Sequence, residues 1–425
     1  MREMKDSGIE WIKQIPTGWT TTRGKNILQL MKRPPEADDE VITCFRNGEV
    51  TLRRNRREEG FTFSDKEIGY QGIKKGDLVI HGMDGFAGAI GISDSDGKGS
   101  PVLVVCTTKE NARYLVYYLR TLAMQDVFLA LATGIRERSC DLRWNKIADL
   151  LFPVPELDEQ CRIADYLDRK CSQIDAIIAR QQEVIEKLKA YKLSVITEAV
   201  TKGLNPVVPM KDSGIDFIGS IPEAWRICRL RNIGTLQNGI SKGGEFFGHG
   251  FPFVSYGDVY RNFSLPVQVA GLIDSSDEER RNYSVESGDI FFTRTSETIE
   301  EVGFSSVCEE TIPDATFAGF LIRVRPFTDD LVPKFAKYYF RSNHHRYYLV
   351  KQMNLVTRAS LGQDLLKSMP VLVPPKDEQI SIAAYLDKKC GAIESSIEYK
   401  QRVIERLTAY KKSLIYEVVT GKKEV

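Results

Sequence analysis

A long stretch that occurs twice is the feature of this sequence that most constrains its fold. The first copy begins DEQCRIADYLDRKC at Asp158 and the second begins DEQISIAAYLDKKC at Asp377. Both continue through an AYK motif to a threonine, Thr201 in the first copy and Thr420 in the second. No proline or glycine-rich segment interrupts either copy, so each predicts one long helix.

Apolar side chains recur along both copies at steps of three and four residues, the spacing that keeps one face of a helix against a partner helix. In the first copy this seam consists of Leu167, Cys171, Ile174, Ile178, Gln181, Ile185, Leu188, Lys192, Val195 and Ala199. In the second copy it consists of Leu386, Cys390, Ile393, Ile397, Lys400, Ile404, Leu407, Lys411, Leu414 and Val418. The polar exceptions fall at the same two places, which favours two helices packed on each other over two ordinary bundle helices.

Both predicted helices carry signals at their ends. Asp158 and Asp377 are the predicted N-caps, because a carboxylate there can accept the unpaired N–H groups of the first turn. Gly203 and Gly421 follow the last apolar positions, where glycine commonly ends a helix.

A shorter motif is also repeated: MKDSGIEWIKQIPTGW at 4–19 returns as MKDSGIDFIGSIPEAW at 210–225. The short motif recurs after 206 residues and the helix after 219, so the segment between them is 219 − 206 = 13 residues longer in the second half. The order of motif, variable region and helix therefore occurs twice. We predict four segments: a first globule at 1–157, a first helix at 158–203, a second globule at 204–376 and a second helix at 377–425.

The two variable regions share only a skeleton. GDLVI at Gly76 matches GDIFF at Gly288, where glycine and aspartate predict a tight turn before a strand. Helical stretches are predicted at 111–131 and at 333–353, among strand-like runs. The predicted fold class is α+β, with two mixed α/β globules separated by two long antiparallel, coiled-coil-like helices and a pseudo-two-fold internal repeat.

Composition narrows the class of protein further. Hydrophobic residues make up 42% of the chain, enough for real cores, and no apolar run reaches the roughly 18 residues that a membrane helix needs. Eight scattered cysteines without a CxxC pair favour reduced, packed thiols in a cytoplasmic protein. A net charge of +1 argues against indiscriminate polyanion binding, although local basic clusters can still form a binding face.

No motif for catalysis or metal binding is evident. The four histidines lack metal-ligand spacing, and the adjacent pair His344 and His345 is predicted on a helix surface. The glycine run GMDGFAGAIG is neither a dinucleotide fingerprint nor a P-loop, and a turn between strands explains it better. Methyltransferase NPPY-like, Walker A and PD…ExK nuclease patterns are absent from the sequence. We therefore expect no cofactor and no metal in this chain.

Basic, amide and hydroxyl residues in loops are the candidates for DNA contacts, since they can bond phosphates and base edges. In the first globule they are Arg53, Arg54, Arg56, Arg57, Arg136, Arg138 and Arg143. In the second they are Lys242, Ser255, Tyr256, Arg294, Thr295, Arg358 and Ser360. TGIRERS and NLVTRAS occupy matching places in the two globules. The alternative for each is an ordinary turn or a solvated loop, such as RRNRREEG neutralised by Glu58 and Glu59.

The double pattern of MKDSGI(E/D)…IP…W, variable globule and DEQ…IA.YLD.K…AYK strongly resembles the specificity subunit of type I restriction–modification systems. The resemblance covers essentially the whole chain. It implies two target-recognition domains that bind double-stranded DNA, and conserved helices that dock two modification subunits with their S-adenosylmethionine. It also implies restriction subunits that use ATP and Mg, and a specificity subunit that is not itself catalytic.

The two unlike globules and the helices between them predict a bipartite, asymmetric DNA target. The resemblance implies that each half-site contains an adenine to be methylated. Exposed helix positions predicted to contact the modification subunits are Arg169, Lys170, Lys388 and Lys389. One alternative is a self-contained DNA methyltransferase or nuclease, which the missing catalytic motifs disfavour. Another is a coiled-coil scaffold without DNA binding, which explains the helices but not the globules.

Overall fold

The computed structural model describes residues 2–56, 68–130, 142–296, 302–352 and 359–425. The chain divides into two compact units: unit 1 comprises Met1–Gln182 and Gln401–Val425, and unit 2 comprises Glu183–Lys400. Each unit therefore contains one copy of the short motif, one of the predicted globules and a part of both long helices.

The globule of unit 1 is built from short strands, most of them antiparallel, and short helices. Its strands are β1 (Met4–Asp6), β2 (Gln14–Pro16), β3 (Thr20–Arg23), β4 (Leu28–Leu30), β5 (Ile42–Cys44), β6 (Val50–Leu52), β7 (Gln71–Ile73), β8 (Leu78–His81), β9 (Ile90–Ile92), β10 (Gly97–Gly99), β11 (Leu103–Thr108) and β12 (Leu151–Val154). Its helices are α1 (Gly24–Ile27), α2 (Ala112–Met124), α3 (Val127–Ala130) and α4 (Trp144–Asp149), and the long helix α5 (Leu157–Lys202) follows along the chain. The central antiparallel sheet has the order β4, β11, β8, β9.

The globule of unit 2 repeats this plan with more strands. They are β13 (Met210–Asp212), β14 (Ser220–Pro222), β15 (Arg226–Arg229), β16 (Gly234–Asn238), β17 (Phe247–Val254), β18 (Gly271–Ile273), β19 (Ile290–Thr293), β20 (Thr295–Ser296), β21 (Ser305–Val307), β22 (Thr316–Phe317), β23 (Leu321–Pro326), β24 (Ala359–Ser360) and β25 (Pro370–Val373). The helices are α6 (Tyr256–Arg261), α7 (Asp277–Asn282), α8 (Pro333–Tyr339), α9 (Asn343–Gln352), α10 (Gln363–Ser368) and the long α11 (Lys376–Val419). Its central sheet has the order β16, β23, β19, β21.

The two GD pairs occupy the same turn in the two central sheets. Gly76 and Gly288 both have a φ of +93°, a left-handed conformation that glycine adopts without strain. The aspartates that follow, Asp77 and Asp289, are buried, and each carboxylate accepts the backbone N–H of the residue three positions earlier at 2.8 Å. The predicted tight turn before each strand is confirmed.

In unit 1 the beginning of α5 lies beside the end of α11. Trp19 of the short motif donates its indole N–H to Glu159, in the first turn of α5, at 3.1 Å. The same ring lies against Gly421, which follows the end of α11 with a φ of +72°. Further along both helices, Lys411 Nζ lies 2.6 and 2.7 Å from the two carboxylate oxygens of Asp175. The two helices therefore run antiparallel within this unit.

In unit 2 the same contacts occur with the helices exchanged. Trp225 donates its indole N–H to Glu378, in the first turn of α11, at 2.9 Å, and its ring lies against Gly203, just past the end of α5. Lys192 forms an ion pair with Glu394. Every predicted seam position, all of them within the described part of the chain, is buried or half-buried. The predictions of two long antiparallel helices and of the α+β class are confirmed.

The predicted N-caps of the long helices are wrong by two residues. Each helix begins one residue before its aspartate, so Asp158 and Asp377 are the second residues of α5 and α11. The first helical hydrogen bonds are accepted by the carbonyls of Glu156 and Pro375, which are therefore the N-caps. The aspartates still lie in the first turn, where the positive end of the helix dipole favours a carboxylate.

The two helical stretches predicted inside the globules are each broken into two helices. Within 111–131, Asp126 has a φ of +56° between α2 and α3; aspartate is among the few residues that adopt this conformation. Within 333–353, Ser342 directly precedes α9, at an N-cap position that serine favours. Positions 131 and 353 lie outside the described residues. A tertiary fold can stop a helix that periodicity alone would continue.

Candidate nucleic-acid interface

In unit 2, three of the predicted DNA-binding residues meet at the end of strand β19. Strand β20 pairs with β24 so that Thr295 lies opposite Ser360. The backbone of Arg294 is held on both sides: its N–H donates to the Phe320 carbonyl at 2.9 Å, and its carbonyl accepts the Leu361 N–H at 2.7 Å. The adjacent Arg294 and Thr295 are thereby brought together with Ser360, which lies more than sixty residues further along the sequence. These residue types commonly bond phosphates and base edges.

Unit 1 has the same arrangement at the end of β8. The Gly82 N–H donates to the Val102 carbonyl at 2.9 Å, and the Gly82 carbonyl accepts the Leu142 N–H at 2.9 Å. Gly82 therefore takes the place of Arg294, and Leu142 that of Leu361. In both units the chain returns to this place from a segment with predicted DNA-binding arginines, and these lie outside the described residues: Arg136, Arg138 and Arg358.

Beside this strand end, unit 1 has a cavity of about 720 Å³. Its walls are mostly apolar, with polar groups from Lys32, Gln71, Arg143 and Trp144. Arg143 is exposed and directly precedes α4, whose first residue is Trp144. An aromatic ring together with cationic side chains is typical of sites that stack a nucleobase or bind a phosphate.

Three of the four arginines in the RRNRREEG stretch are described, and Arg57 lies outside the described residues. Arg53 and Arg54 lie in the 3₁₀ turn Arg53–Asn55, directly after β6. Arg53 is half-buried. Arg54 is exposed and pairs with Glu40 at 2.7 Å. The turn places these two arginines on a folded surface of unit 1.

Arg56 is the third described arginine of this stretch. It pairs with Glu49 at 3.3 Å, and its guanidinium lies 4.5 Å from the centroid of the Phe45 ring. The carboxylates that pair with Arg54 and Arg56 therefore come from elsewhere in the globule, while the neighbouring glutamates at 58 and 59 lie outside the described residues. The assignment of this stretch to DNA stays a prediction.

Three further candidates in unit 2 have partners within their globule. Lys242 Nζ lies 2.7 Å from the Glu279 carboxylate. Ser255 caps α6 by accepting the Asp258 N–H at 3.3 Å, in a reciprocal capping box. Tyr256 is half-buried at the first position of α6. Their sequence signals are thus also explained by local structure, and their assignment to DNA stays a prediction.

The predicted partner-binding residues lie on the long helices, outside the seam. Arg169, Lys388 and Lys389 are exposed, whereas Lys170 is half-buried. The Arg169 guanidinium lies 5.9 Å from the centroid of the Tyr166 ring on the preceding turn. Charge alone does not distinguish a docking surface from a solvated helix face, so these four residues stay predictions.

The long helices also expose large apolar side chains, which the sequence analysis missed because it followed only the seam. They are between 37% and 63% exposed: Leu157, Ile177 and Tyr191 on α5, and Ile380, Tyr385, Tyr399 and Tyr410 on α11. Tyr191 and Tyr410 occupy the same place in the two AYK motifs, and that repetition was the available signal. Exposed aromatic and aliphatic groups of this size are typical of protein interfaces.

A buried glutamine of the repeated DEQ motif joins each long helix to its own globule. In unit 1, the side-chain oxygen of Gln160 accepts the N–H of Asn111, the N-cap of α2, at 2.9 Å. In unit 2, Gln379 accepts the N–H of Val332, the N-cap of α8, at 2.8 Å. The identity of the motif in both copies was the signal for this role.

An aspartate of the repeated YLD motif makes a second connection. The Tyr117 hydroxyl donates to Asp168 at 2.8 Å in unit 1, and the Tyr338 hydroxyl donates to Asp387 at 2.7 Å in unit 2. Both tyrosines belong to the first globule helix after the central sheet, α2 or α8. Two side-chain contacts at fixed places therefore hold each globule against its part of the long helices.

The described residues contain no group of three or more histidine, cysteine, aspartate or glutamate side chains that could hold a metal ion. The cysteines among them are free thiols, and burial raises the pKa of Cys44, Cys106 and Cys308 to about 12, which makes them packing groups rather than nucleophiles. No helix in the described ranges is long and apolar enough to cross a membrane.

The prediction of a helix surface at the paired histidines is wrong for His345. This ring is 4% exposed and lies 4.3 Å from the Tyr339 ring, centroid to centroid. Burial lowers the pKa of His345 to about 3. The side chain packs in the core because the break between α8 and α9 turns it inward, which periodicity over an unbroken helix did not indicate.

Comparison with known proteins agrees with this architecture. Residues 222–406 match the family model described as the type I restriction modification DNA specificity domain. The type I restriction enzyme EcoKI specificity subunit of Escherichia coli is 24% identical, over 96% of this chain and 90% of its own length. The putative type I restriction enzyme MjaX specificity subunit of Methanocaldococcus jannaschii is 24% identical, over 97% of this chain and 96% of its own length.

Two solved structures share the fold. One, from work on complex assembly and conformational transition of the type I R-M system, has a TM-score of 0.74 at 16% identity and covers 96% of this chain and 99% of its own. The HsdS subunit of Thermoanaerobacter tengcongensis has a TM-score of 0.53 at 16% identity and covers 96% and 98%. The relatives are specificity subunits, which confirms the prediction of a non-catalytic specificity role. The chain is thus similar, over almost its whole length, to the specificity subunits of type I restriction–modification systems.

Proposed function

We propose that the chain reads a bipartite, asymmetric DNA target, with each globule reading one half-site. The observation that carries the proposal is the matched pair of strand ends with different side chains. Unit 1 has Gly82 there, beside a cavity edged by Arg143 and Trp144, whereas unit 2 has Arg294 and Thr295. A common scaffold with different donors and rings supports two readers with different base preferences.

The two half-sites flank a few unread base pairs, and the long helices set their spacing. For two readers on one side of a duplex, half-site centres lie about one helical turn apart, roughly 10 base pairs. Each half-site contains an adenine that is methylated. This proposal goes beyond the likeness to specificity subunits by stating the form of the DNA target.

Two modification subunits dock on the long helices and bring S-adenosylmethionine, and restriction subunits add chemistry that depends on ATP and Mg. The exposed apolar side chains of α5 and α11 support a protein interface on these helices. The recurrence of an exposed tyrosine in both AYK motifs, Tyr191 and Tyr410, supports two copies of one partner. Arg169, Lys170, Lys388 and Lys389 contribute a basic rim to this surface.

Exchange of one globule tests the proposal. Replacing residues 20–157 by the matching globule of a relative should change one half of the methylated motif in the host genome and leave the other half as it was. The matched exchange of residues 226–376 should change only the other half. Both exchanges keep the short motifs and all but the first residue of each long helix. A motif that changed in both halves after either exchange, or that proved continuous and palindromic, would contradict two separate readers.

A further inference from the structure

A polar cavity lies at the corresponding place in each unit, where the globule helix meets the two long helices. In unit 1 the cavity measures about 630 Å³ and is lined by α2, α5 and α11, with Tyr117, Arg120, Asp168, Asp175 and Lys411 among its walls. In unit 2 it measures about 450 Å³ and is lined by α8, α11 and α5, with Lys337, Tyr338, Asp387, Glu394 and Lys192 among its walls. The two cavities therefore use equivalent positions of the repeated helices.

The tyrosines that bind the YLD aspartates also align two arginines, one in α2 and one just past the end of α8. Arg120 follows Tyr117 by three residues, and Arg341 follows Tyr338 by three. In unit 2 the guanidinium of Arg341 is surrounded by main-chain carbonyls. It donates to four of them at distances of 2.6–3.0 Å, namely those of Ser305, Val259, Tyr260 and Asn262. The end of α6 and strand β21 of the same unit thus cover this arginine.

In unit 1 Arg120 has no comparable cover. Within the described part of the chain it forms no ion pair and donates no hydrogen bond, and its Nε is inaccessible to water. The backbone of Gly48 lies close to this guanidinium. A Cβ atom added to Gly48 would be 2.5 Å from the Arg120 Nη1 atom. Burial lowers the pKa of Arg120, because the charged guanidinium has lost water without gaining acceptors.

The two carboxylates on the wall of this cavity already have partners. Asp175 binds Lys411 at 2.6 Å, and Asp168 accepts hydrogen bonds from the Tyr117 hydroxyl at 2.8 Å and from Arg113 at 2.6 Å. Neither carboxylate bonds to Arg120. They do, however, give the wall a negative edge that disfavours a phosphate as the occupant. Neutral oxygen acceptors suit both the arginine and its surroundings.

We propose that the unit 1 cavity is a socket for a segment of the modification subunit, whose main-chain carbonyls accept the terminal Nη N–H groups of Arg120. Unit 2 supplies the template, since its own chain offers carbonyls to Arg341 at the equivalent position. The walls formed by α5 and α11 belong to the helices on which the proposed function places this partner, and the inference rests on that function. Because Arg341 already has carbonyl partners within unit 2 and Arg120 has none among the described residues, the two modification subunits are held unequally.

The test compares Arg120→Met with the matched variant Arg341→Met, each in the full-length chain, by titration with the purified cognate modification subunit. Arg120→Met should leave the thermal midpoint of the chain alone unchanged or raised, because an unpaired buried donor is removed. It should weaken one of the two binding events at least tenfold and leave the other as it was. Arg341→Met should lower the thermal midpoint, because the carbonyls around it lose their donor.

A cross-linking measurement supports the titration without altering Arg120. A photo-reactive phenylalanine analogue at Ser172, an exposed residue on the cavity wall, should cross-link to one segment of the modification subunit. A photoproduct confined to this chain would overturn the inference. So would inorganic phosphate at millimolar concentration that raised the thermal midpoint of the unchanged chain but not that of Arg120→Met, because the site would then take anions.

The outcomes separate this inference from the proposed function. If the unchanged chain bound no modification subunit, the socket and the docking of modification subunits on the long helices would both be contradicted. If the unchanged chain and Arg120→Met each bound two modification subunits with equal affinity, only the socket would fall and docking on the helices would stand.

Discussion

Asp77 and Asp289 perform the same task in the two central sheets, but they obtain their arginines from different places. Arg33, after strand β4, donates hydrogen bonds to the Asp77 carboxylate from both of its terminal nitrogens, Nη1 and Nη2. Arg325, in β23, holds Asp289 through contacts of 2.8 and 2.6 Å. The strand register puts Thr107 of unit 1 where Arg325 stands in unit 2. The buried carboxylate is fixed by the turn, whereas its partner can come from either neighbour.

The contacts between the long helices and the globules differ much less between the two units than the arginine partners of Asp77 and Asp289 do. The indole of the short motif, the glutamine of DEQ and the aspartate of YLD make the same bonds in both units, and the tryptophan–glutamate distances differ by only 0.2 Å. Sequence is therefore shared where a globule joins the helices and is free to differ inside the globule. Such a division allows a globule to change its surface without changing how it is held.

The largest test of this comparison is removal of the buried carboxylate in each unit. Asp77→Ala and Asp289→Ala should each lower the free energy of unfolding of their unit by about 3–5 kcal/mol, because a partly buried arginine loses its partner. Asp77→Ala should cost more, since Arg325 keeps a second carboxylate, Glu286, at 2.8 Å. Urea denaturation followed by hydrogen exchange, read separately for each unit, measures both losses.

The Asp→Asn variants are the matched controls for this prediction. Asparagine keeps an acceptor for the turn N–H but removes the charge, so each should cost less than the corresponding alanine variant. An equal loss in both units, with Glu286 making no difference, would show that the arginines contribute by packing rather than by their ion pairs.

Local periodicity and internal repetition account for what the sequence predicted correctly. The seam, the tight GD turns and the two-part plan depend on spacings of a few residues or on comparison of two copies. The broken helices and the buried His345 depend on tertiary contacts, which override the local pattern. The Arg33–Asp77 pair joins residues 44 positions apart and the Trp19–Glu159 bond residues 140 apart, so no local pattern indicates them.

The candidate interface shows the same limit. Placing Thr295 opposite Ser360 required the strand pairing, and the cavity beside Trp144 required the packed globule. Lys242 and Ser255 were selected for residue type alone, and the structure gives both a local partner. Residue type identifies which side chains can bond DNA, whereas only the fold shows which of them come together.

Mild acid should destabilise unit 2 more than unit 1, because unit 2 contains the buried His345. Its pKa is lowered to about 3 in the folded protein, from an ordinary value near 6.5, so the unfolded state takes up the proton first as the pH falls. The stabilisation that comes from the lowered pKa of His345 is complete above about pH 6.5 and is lost as the pH falls below that value. The free energy of unfolding should fall by about 2.5 kcal/mol between pH 7 and pH 4.5. The matching stretch of unit 1, residues 112–130, has no histidine.

His345→Gln checks the origin of this loss in urea unfolding at several pH values. The variant should reduce the pH dependence of unit 2 without abolishing it, because burial also lowers the pKa of His344. Burial also lowers the pKa of His81 in unit 1, although the nearby Asp84 opposes this change. An unchanged slope in the variant would assign the acid sensitivity to groups other than His345.

The matched strand ends should differ in what they read. Arg294→Ala should reduce discrimination in one half-site by about 1–3 kcal/mol if its guanidinium bonds a base, while Arg143→Ala should affect only the other half-site. Binding of the assembled complex to the target and to single-base variants of each half measures both effects. Weakening of all sequences alike would make either arginine a phosphate contact.

The smallest expected effect concerns Arg54. None of the predicted DNA-binding residues in the described part of unit 2 corresponds to it. Its pair with Glu40 is exposed on both sides, so Arg54→Ala should change the free energy of unfolding by less than about 1 kcal/mol. Loss of one phosphate contact should nevertheless weaken DNA binding equally for all sequences and reduce the slope of log affinity against log salt by about one. Arg23→Ala is the matched control, because Arg23 forms a similar exposed pair with Asp149 at 3.2 Å and is not a candidate. A salt slope that fell equally in both variants would remove any special role for Arg54, and a loss of discrimination at one base pair would make it a reader.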